Sequence, residues 1–230
     1  PNDMFIVGDS HQRIYDRRSS LSKVGINVRG RSHKLRINYR TTHEILRWSL
    51  RLLGTHSYDD LDDGEDVHDF AGYHSFMHGP EPTLVAAPSR RAEIDALVEQ
   101  VNQWVKDGVN EDDIAVTART VDGLDAIESR LNTSGLTTCR LSSSRPKTGG
   151  IRLANMHRVK GLEFRCVAIS GANDEKVPLA LALTDKTADE VQHRLDLQRE
   201  GCLLYVSATR AREDLWVGWS GTPSRFLGVD

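Results

Sequence analysis

REGCLLYVSATRAR, residues 199–212, decides how the rest of the chain is read. An apolar run (Cys202, Leu203, Leu204, Tyr205, Val206) passes through small polar residues into Thr209, Arg210 and Arg212. Two arginines just past a buried segment place guanidinium groups at the edge of a core. A rigid fork of donors that never loses its charge suits phosphate oxygens. The plain alternative is a helix end with cations near its negative pole. The run reads as the end of a helix over residues 188–212, irregular near Gly201, with a strand at 215–219 closing a sheet.

Upstream, strand and helix patterns alternate. Residues 83–87, 113–119, 136–141, 151–156 and 165–171 read as strands. Residues 89–106 form an amphipathic helix with Ile94, Leu97, Val98, Val101 and Trp104 on one face and Gly108 after it. A second helix covers about 121–132 and ends before Gly135. Such alternation predicts an α/β fold, a parallel sheet with helices on both faces.

Residues 4–7 (MFIV) read as one more buried strand, followed by a polar loop, GDSHQRIYDRR, at the strand end where ligands sit in α/β sheets. Residues 34–45 (KLRINYRTTHEI) carry a strand-like piece, then Tyr39 and Arg40. Thr41 and Glu44 have capping-box spacing for the helix that follows. Tyr39 and Arg40 thus stand where a helix N-terminus favours anions, or else pack on the core and point to water. His157, Lys160, Gly161 and Glu163 lie in a loop between two strands. Gly161 permits close backbone approach to a ligand, and Glu163 can accept from a ribose hydroxyl.

The 230 residues are 38% hydrophobic and 27% charged, the balance of a soluble globular chain with a sizeable core. No apolar run reaches membrane-span length and no signal peptide is visible. Cys139, Cys166 and Cys202 are odd in number and sit in apolar settings, which reads as reduced cysteines in a cytoplasmic protein. The first residue, Pro1, suggests a fragment or processed product. A net charge of −3 conceals an asymmetry: residues 11–52 hold eleven Lys/Arg against two acids, and residues 53–72 hold seven acids and no Lys/Arg. A basic block beside an acidic one suggests a face for a polyanion and a solvated loop, and residues 53–82 read as a long loop or partly ordered connection. DDLDDGED lacks an oxygen ligand at Leu61, and His74 and His78 lack partners, so no metal site is expected.

Four stretches, VGDSHQRIY, LRINYRTT, MHRVKGLEF and LLYVSATRAR, stand in fixed order. Together they resemble motifs three to six of the UvrD/Rep/PcrA-type superfamily one DNA helicases. The resemblance implies a RecA-like fold, with residues 1–33 as the tail of a first motor domain and 34–230 as the second. It implies ATP with Mg2+ as cofactors and single-stranded DNA or DNA junctions as partner, beside an upstream RecA-like domain and a repair, nuclease or transcription partner. Residue by residue, it implies Gln12 as sensor of the terminal phosphate and Tyr39 stacked on adenine. Arg40 falls on the terminal phosphate, Glu163 with Gly161 at the nucleotide, and Arg210 as the arginine finger. His157 and Tyr15 fall on the single strand, with Arg17 and Arg18 beside them.

Three departures matter. No G-x-x-x-x-G-K-[ST] or DExx motif is present, so the chain alone is expected not to hydrolyse ATP. Arg17 stands where the family carries Trp. Only residues 142–150 occupy the place of the accessory domain. A helicase-like DNA- or protein-binding module without unwinding is the second reading these departures leave open.

Overall fold

The period of two along each buried strand divides this molecule into layers. The computed structural model describes residues 5–12, 14–15, 25–26, 33, 35–54, 58–59, 65–66, 72–141 and 149–229. In chain order these form β1 (Ile37–Asn38), α1 (His43–Arg51), the short strands β2 (Tyr58–Asp59) and β3 (Glu65–Asp66), β4 (His74–Ser75), β5 (Thr83–Ala87) and α2 (Arg90–Lys106). There follow β6 (Ile114–Ala118), α3 (Asp122–Thr133), β7 (Thr138–Arg140), β8 (Ile151–Asn155), β9 (Phe164–Ser170), α4 (Glu190–Ala208) and β10 (Ala211–Ser220).

Six strands make one parallel sheet in the order β5-β10-β9-β6-β8-β7. Ala115, Ala154, Val167, Ile169, Leu215 and Val217 pack with residues of α1 and α4. Their neighbours Val116, Leu153, Cys166, Ala168 and Trp216 pack with α2 and α3 on the other face. The expected α/β fold with helices on both faces is what the chain adopts. Ser89 caps α2 by accepting from the Ala92 amide, and Gly108 follows in the left-handed conformation that ends it.

Several local expectations are corrected. Phe5, Ile6 and Val7 form no strand and are exposed. Among the described residues nothing pairs with them, and an apolar run without a partner strand gains nothing from extension. The cap of α1 is Thr42, whose hydroxyl accepts from the Ile45 amide, not Thr41. Within residues 72–82, read as loop or partly ordered connection, His74 and Ser75 form β4, which pairs with β1 in parallel, and residues 78–81 are exposed without regular structure. Most of residues 55–71 and all of 142–148 lie outside the described residues. β10 lies inside the sheet between β5 and β9, not at its margin. The last helix runs unbroken through Gly201 and stops at Ala208, so Arg212 belongs to a strand. Gly201 lets the helix approach Leu52 and Phe226: an added Cβ would sit 3.4 Å from the Leu52 carbonyl and from the Phe226 ring.

Gly218 is the tightest point of β10. A Cβ there would fall 2.0 Å from the buried Trp216 ring. Gly218→Ala is therefore expected to lower stability by about 1–3 kcal/mol through overpacking, read as a lower urea midpoint.

Candidate functional site

The residues singled out by the sequence gather at two opposite edges of the parallel sheet. One edge is where β9 and β10 begin, and the other is where β6 and β8 end. Residues 156–163 join them. β8 ends at Asn155 on one edge, β9 starts at Phe164 on the other, and a seven-residue strand spans roughly 20 Å. Met156 and Val159 are buried and hold this crossover to the core. Gly161 takes φ +86° in open space, a backbone state suited to glycine.

At the starting edge a β-bulge decides the geometry. Ala211 pairs with Phe164, but Asp214 pairs with Cys166, so β10 carries one extra residue just after Arg210. The Arg212 carbonyl there accepts from the Thr42 amide, which docks the start of α1 beside Arg210. Gly79 fits between Thr42 and the Glu213 carbonyl, where an added Cβ would meet Thr42 Cγ2 at 2.8 Å. The NYRT turn is shaped by its own asparagine. Asn38 Oδ1 accepts from the amides of Arg40 (2.7 Å) and Thr41 (3.1 Å), and its Nδ2 donates to Thr41 Oγ1.

Arg40 and Arg210 meet in this corner. Arg40 Nε donates to Glu163 Oε2 at 3.1 Å, with both side chains about half exposed. Arg210 is only 1% exposed. Its Nε donates to the Val206 carbonyl, Nη1 to the Leu162 carbonyl and Nη2 to Thr209 Oγ1. It sits inside the edge of the core, deeper than the sequence implied. Burial first, and the Arg40 charge next, push it down to about 10, so it stays cationic at neutral pH. Among the described residues three of its five N–H groups find acceptors. The segment with Gln12 closes over the corner. His11 packs edge-on to Tyr205, Gln12 Nε2 donates to Asp9 Oδ2, and the Gln12 carbonyl accepts from Lys160 Nζ at 2.7 Å. Burial opposes ionisation of Asp9, but its hydrogen bonds to His11 prevail and hold its carboxyl below the usual range.

At the far edge His157 lies 6.1 Å from the Tyr15 ring, and Lys160 stands over that ring at 5.4 Å. The two residues expected on single-stranded DNA are thus neighbours. Arg17 and Arg18 lie outside the described residues. Burial and Arg119 pull the His157 pKa down, against an opposing pull from Glu200.

Two buried clusters here escaped the sequence reading. Arg119 and Glu200 form a two-bonded pair at 2.8 and 2.7 Å, and Glu200 Oε2 also accepts from the Leu179 amide. Glu93 is fully buried and accepts from Arg90, Ser170 and the Gly171 amide. The signal existed: Glu93 and Glu200 stand four residues before Leu97 and Leu204, on the buried face of their helices. Among the described residues no group of His, Cys, Asp and Glu could hold a metal ion, and no helix is long and apolar enough to cross a membrane. The three cysteines are buried and unbridged.

The segment 75–79 is tied to α1 by Glu44, which accepts from His78 Nδ1 (3.0 Å) and the Gly79 amide (2.9 Å). The His78 hydrogen bond chiefly pulls Glu44 down to about 2, from 4.5. A depressed carboxylate stabilises above its unfolded pKa and loses that contribution as pH falls through its folded one. Glu44→Gln is expected to lower the urea midpoint at pH 6, with the difference from wild type shrinking between about pH 4.5 and pH 2.

Comparison with known proteins bears on the last two of the four stretches, MHRVKGLEF and LLYVSATRAR. Residues 136–222 match the UvrD-like helicase C-terminal domain family. The chain is 36% identical over 92 residues to the ATP-dependent DNA helicase UvrD2 of Mycobacterium tuberculosis, covering 36% of this chain and 12% of that protein. It is 36% identical over 89 residues to the ATP-dependent DNA helicase PcrA of Staphylococcus epidermidis, covering 34% of this chain and 11% of that protein. The matched regions are thus about a tenth of the length of these relatives. A crystal structure of the C-terminal domain of a possible DNA helicase from Lactobacillus plantarum WCFS1 matches with a TM-score of 0.58 at 20% identity. It covers 83% of this chain and 92% of its own, a likeness of fold. Residues 136–222 thus match the UvrD-like helicase C-terminal domain, and over about a third of its length the chain is similar to UvrD/PcrA-type helicases.

Proposed function

We propose that the chain is the C-terminal motor portion of an ATP-dependent DNA helicase or translocase. The observation that carries this reading is the convergence of Arg40, Glu163 and Arg210 at one edge of the sheet. They are joined through one eight-residue crossover to His157 and Tyr15 at the other edge. Two guanidiniums in a partly dry corner stabilise charge on a transferring phosphoryl group far better than they would in water. Arg210 serves as the finger. Arg40 leaves Glu163 for the terminal phosphate, Glu163 turns to the ribose, and Gly161 lets the backbone come close. Gln12 senses the terminal phosphate, and exposed Tyr39 stacks on the adenine.

His157, kept neutral by burial and Arg119, contacts the strand by hydrogen bonding and packing, beside the Tyr15 ring. Arg17 and Arg18 add phosphate contacts. Mg2+ and the phosphate-binding loop belong to an upstream RecA-like domain, so residues 1–33 read as that domain's tail and 34–230 as the second domain. By itself this chain should not turn over ATP. A cytoplasmic setting fits the three unbridged cysteines.

A DNA- or protein-binding module without unwinding is the second reading, favoured by Arg17 in place of Trp. The two separate in a translocation assay with the full-length protein on single strands of increasing length, carrying an end-placed fluorophore. A motor gives a lag that grows with length and needs ATP. Binding with no length-dependent lag would reject the motor.

A further inference from the structure

We propose that Phe76 is a second aromatic wall for the purine base of the nucleotide: it follows the end of β4 as Tyr39 follows the end of β1, with which β4 pairs. The inference rests on the nucleotide reading above and adds a residue that none of the four motifs contains. Ile37 pairs with His74 and Asn38 with Ser75. In a parallel pair, residues in register share a face, and the faces alternate along each strand. Asn38 and Ser75 turn toward the body. Ser75 is 4% exposed and donates to the Thr41 carbonyl at 2.7 Å, while Asn38 closes the turn below it. The opposite face carries Ile37 and His74 side by side. Tyr39 and Phe76 are the residues that directly follow the paired Asn38 and Ser75.

Both aromatic rings face solvent, Tyr39 75% exposed and Phe76 68%. The Phe76 ring is set edge-on to His74 at 5.1 Å and 81°. The backbone on either side of it is fixed: the Met77 amide donates to Ser75 Oγ, and the Met77 carbonyl accepts from the His43 amide at 2.7 Å. Phe76 is thus an exposed apolar ring on an anchored segment. An exposed cluster of large apolar side chains, stitched to the helix start that follows Arg40, marks a binding surface.

Charge complementarity selects the occupant. The next residue after Tyr39 is Arg40, whose field reaches Arg210. A flat apolar face adjoining two guanidiniums fits a flat base joined to a polyanion, which is a nucleoside triphosphate. The sequence hid this pairing, because Phe76 lies at the end of the segment whose composition reads as an acidic loop.

The test is equilibrium binding of ATP and of inorganic tripolyphosphate to the full-length protein, comparing wild type, Tyr39→Ala, Phe76→Ala and Phe76→Tyr. Loss of a base stack predicts that Phe76→Ala weakens ATP about tenfold. Tripolyphosphate, which has no base, should stay within about twofold, and Phe76→Tyr should bind ATP like wild type. Phe76→Ala with unchanged ATP affinity, beside a weakened Tyr39→Ala, overturns this inference and leaves the nucleotide reading intact. Unchanged affinity in both variants overturns the stacking role of Tyr39 as well. Equal loss of ATP and tripolyphosphate in Phe76→Ala means the ring only supports the fold, and also overturns the inference.

Discussion

In the full-length protein, Arg210→Ala is expected to lower ATP turnover by about a thousandfold or more while single-stranded DNA affinity changes less than about threefold. The asymmetry follows from position. Arg210 lies at the edge where β9 and β10 begin, beside Arg40, whereas Tyr15 and His157 lie where β8 ends. Its removal also takes a donor from the Leu162 carbonyl and leaves the Val206 carbonyl with the Thr209 hydroxyl, so some loss of stability accompanies the loss of turnover. Arg210→Lys separates the two effects. Lysine keeps a cation in the corner but cannot reproduce three directed bonds. Turnover should remain far below wild type even where the melting temperature recovers. An Arg210→Ala enzyme that hydrolyses ATP normally would remove Arg210 from the chemistry.

The second large effect concerns folding. Glu200 is 3% exposed and takes two bonds from Arg119 and one from the Leu179 amide. Glu200→Ala leaves the Arg119 guanidinium buried without its counter-charge, which costs about 3–5 kcal/mol. For a domain of this size that is roughly a 10 °C fall in melting temperature. Replacing both partners with apolar residues of similar volume should recover most of it, because neither charge is then stranded. The pair also sets the electrostatics of His157. Glu200 raises its pKa and Arg119 lowers it. Loss of Glu200 should therefore move the His157 titration further down, and loss of Arg119 should move it up, both observable by NMR. A melting temperature unchanged in Glu200→Ala would contradict the buried pair.

The layers of this fold were legible because they rest on local pattern. Short apolar runs along 114–118, 151–155 and 164–170 marked the strands, and Ser89 and Gly108 marked the ends of the long helix. What local pattern does not carry is partnership. Nothing in MFIV tells a buried strand from an exposed coil until its neighbour is known, and β10 between β5 and β9 is set by long-range pairing alone. The same limit hid β4, whose pairing with β1 overrides the acidic composition upstream of it.

At the site, the motif residues were legible, but their edge was not. The usual placement of ligands at strand C-termini fits His157, while Arg40, Glu163 and Arg210 sit where strands begin. Arg210 follows a helix, Arg40 precedes one and Glu163 ends a crossover, so none of them trails a strand of the six-stranded sheet. Arg119, Glu93 and Glu200 went unread for a different reason. A single charge inside an apolar pattern is easily taken for noise, whereas in the structure each is buried with its partners.

The most direct test of the central claim is ATP hydrolysis by the full-length protein, measured with and without single-stranded DNA. A motor whose phosphate corner and DNA-contacting edge share one crossover should show turnover that rises at least about tenfold with DNA and is lost in Arg210→Ala. Tight DNA binding with no turnover in either condition would contradict the motor and leave a binding module on a helicase fold.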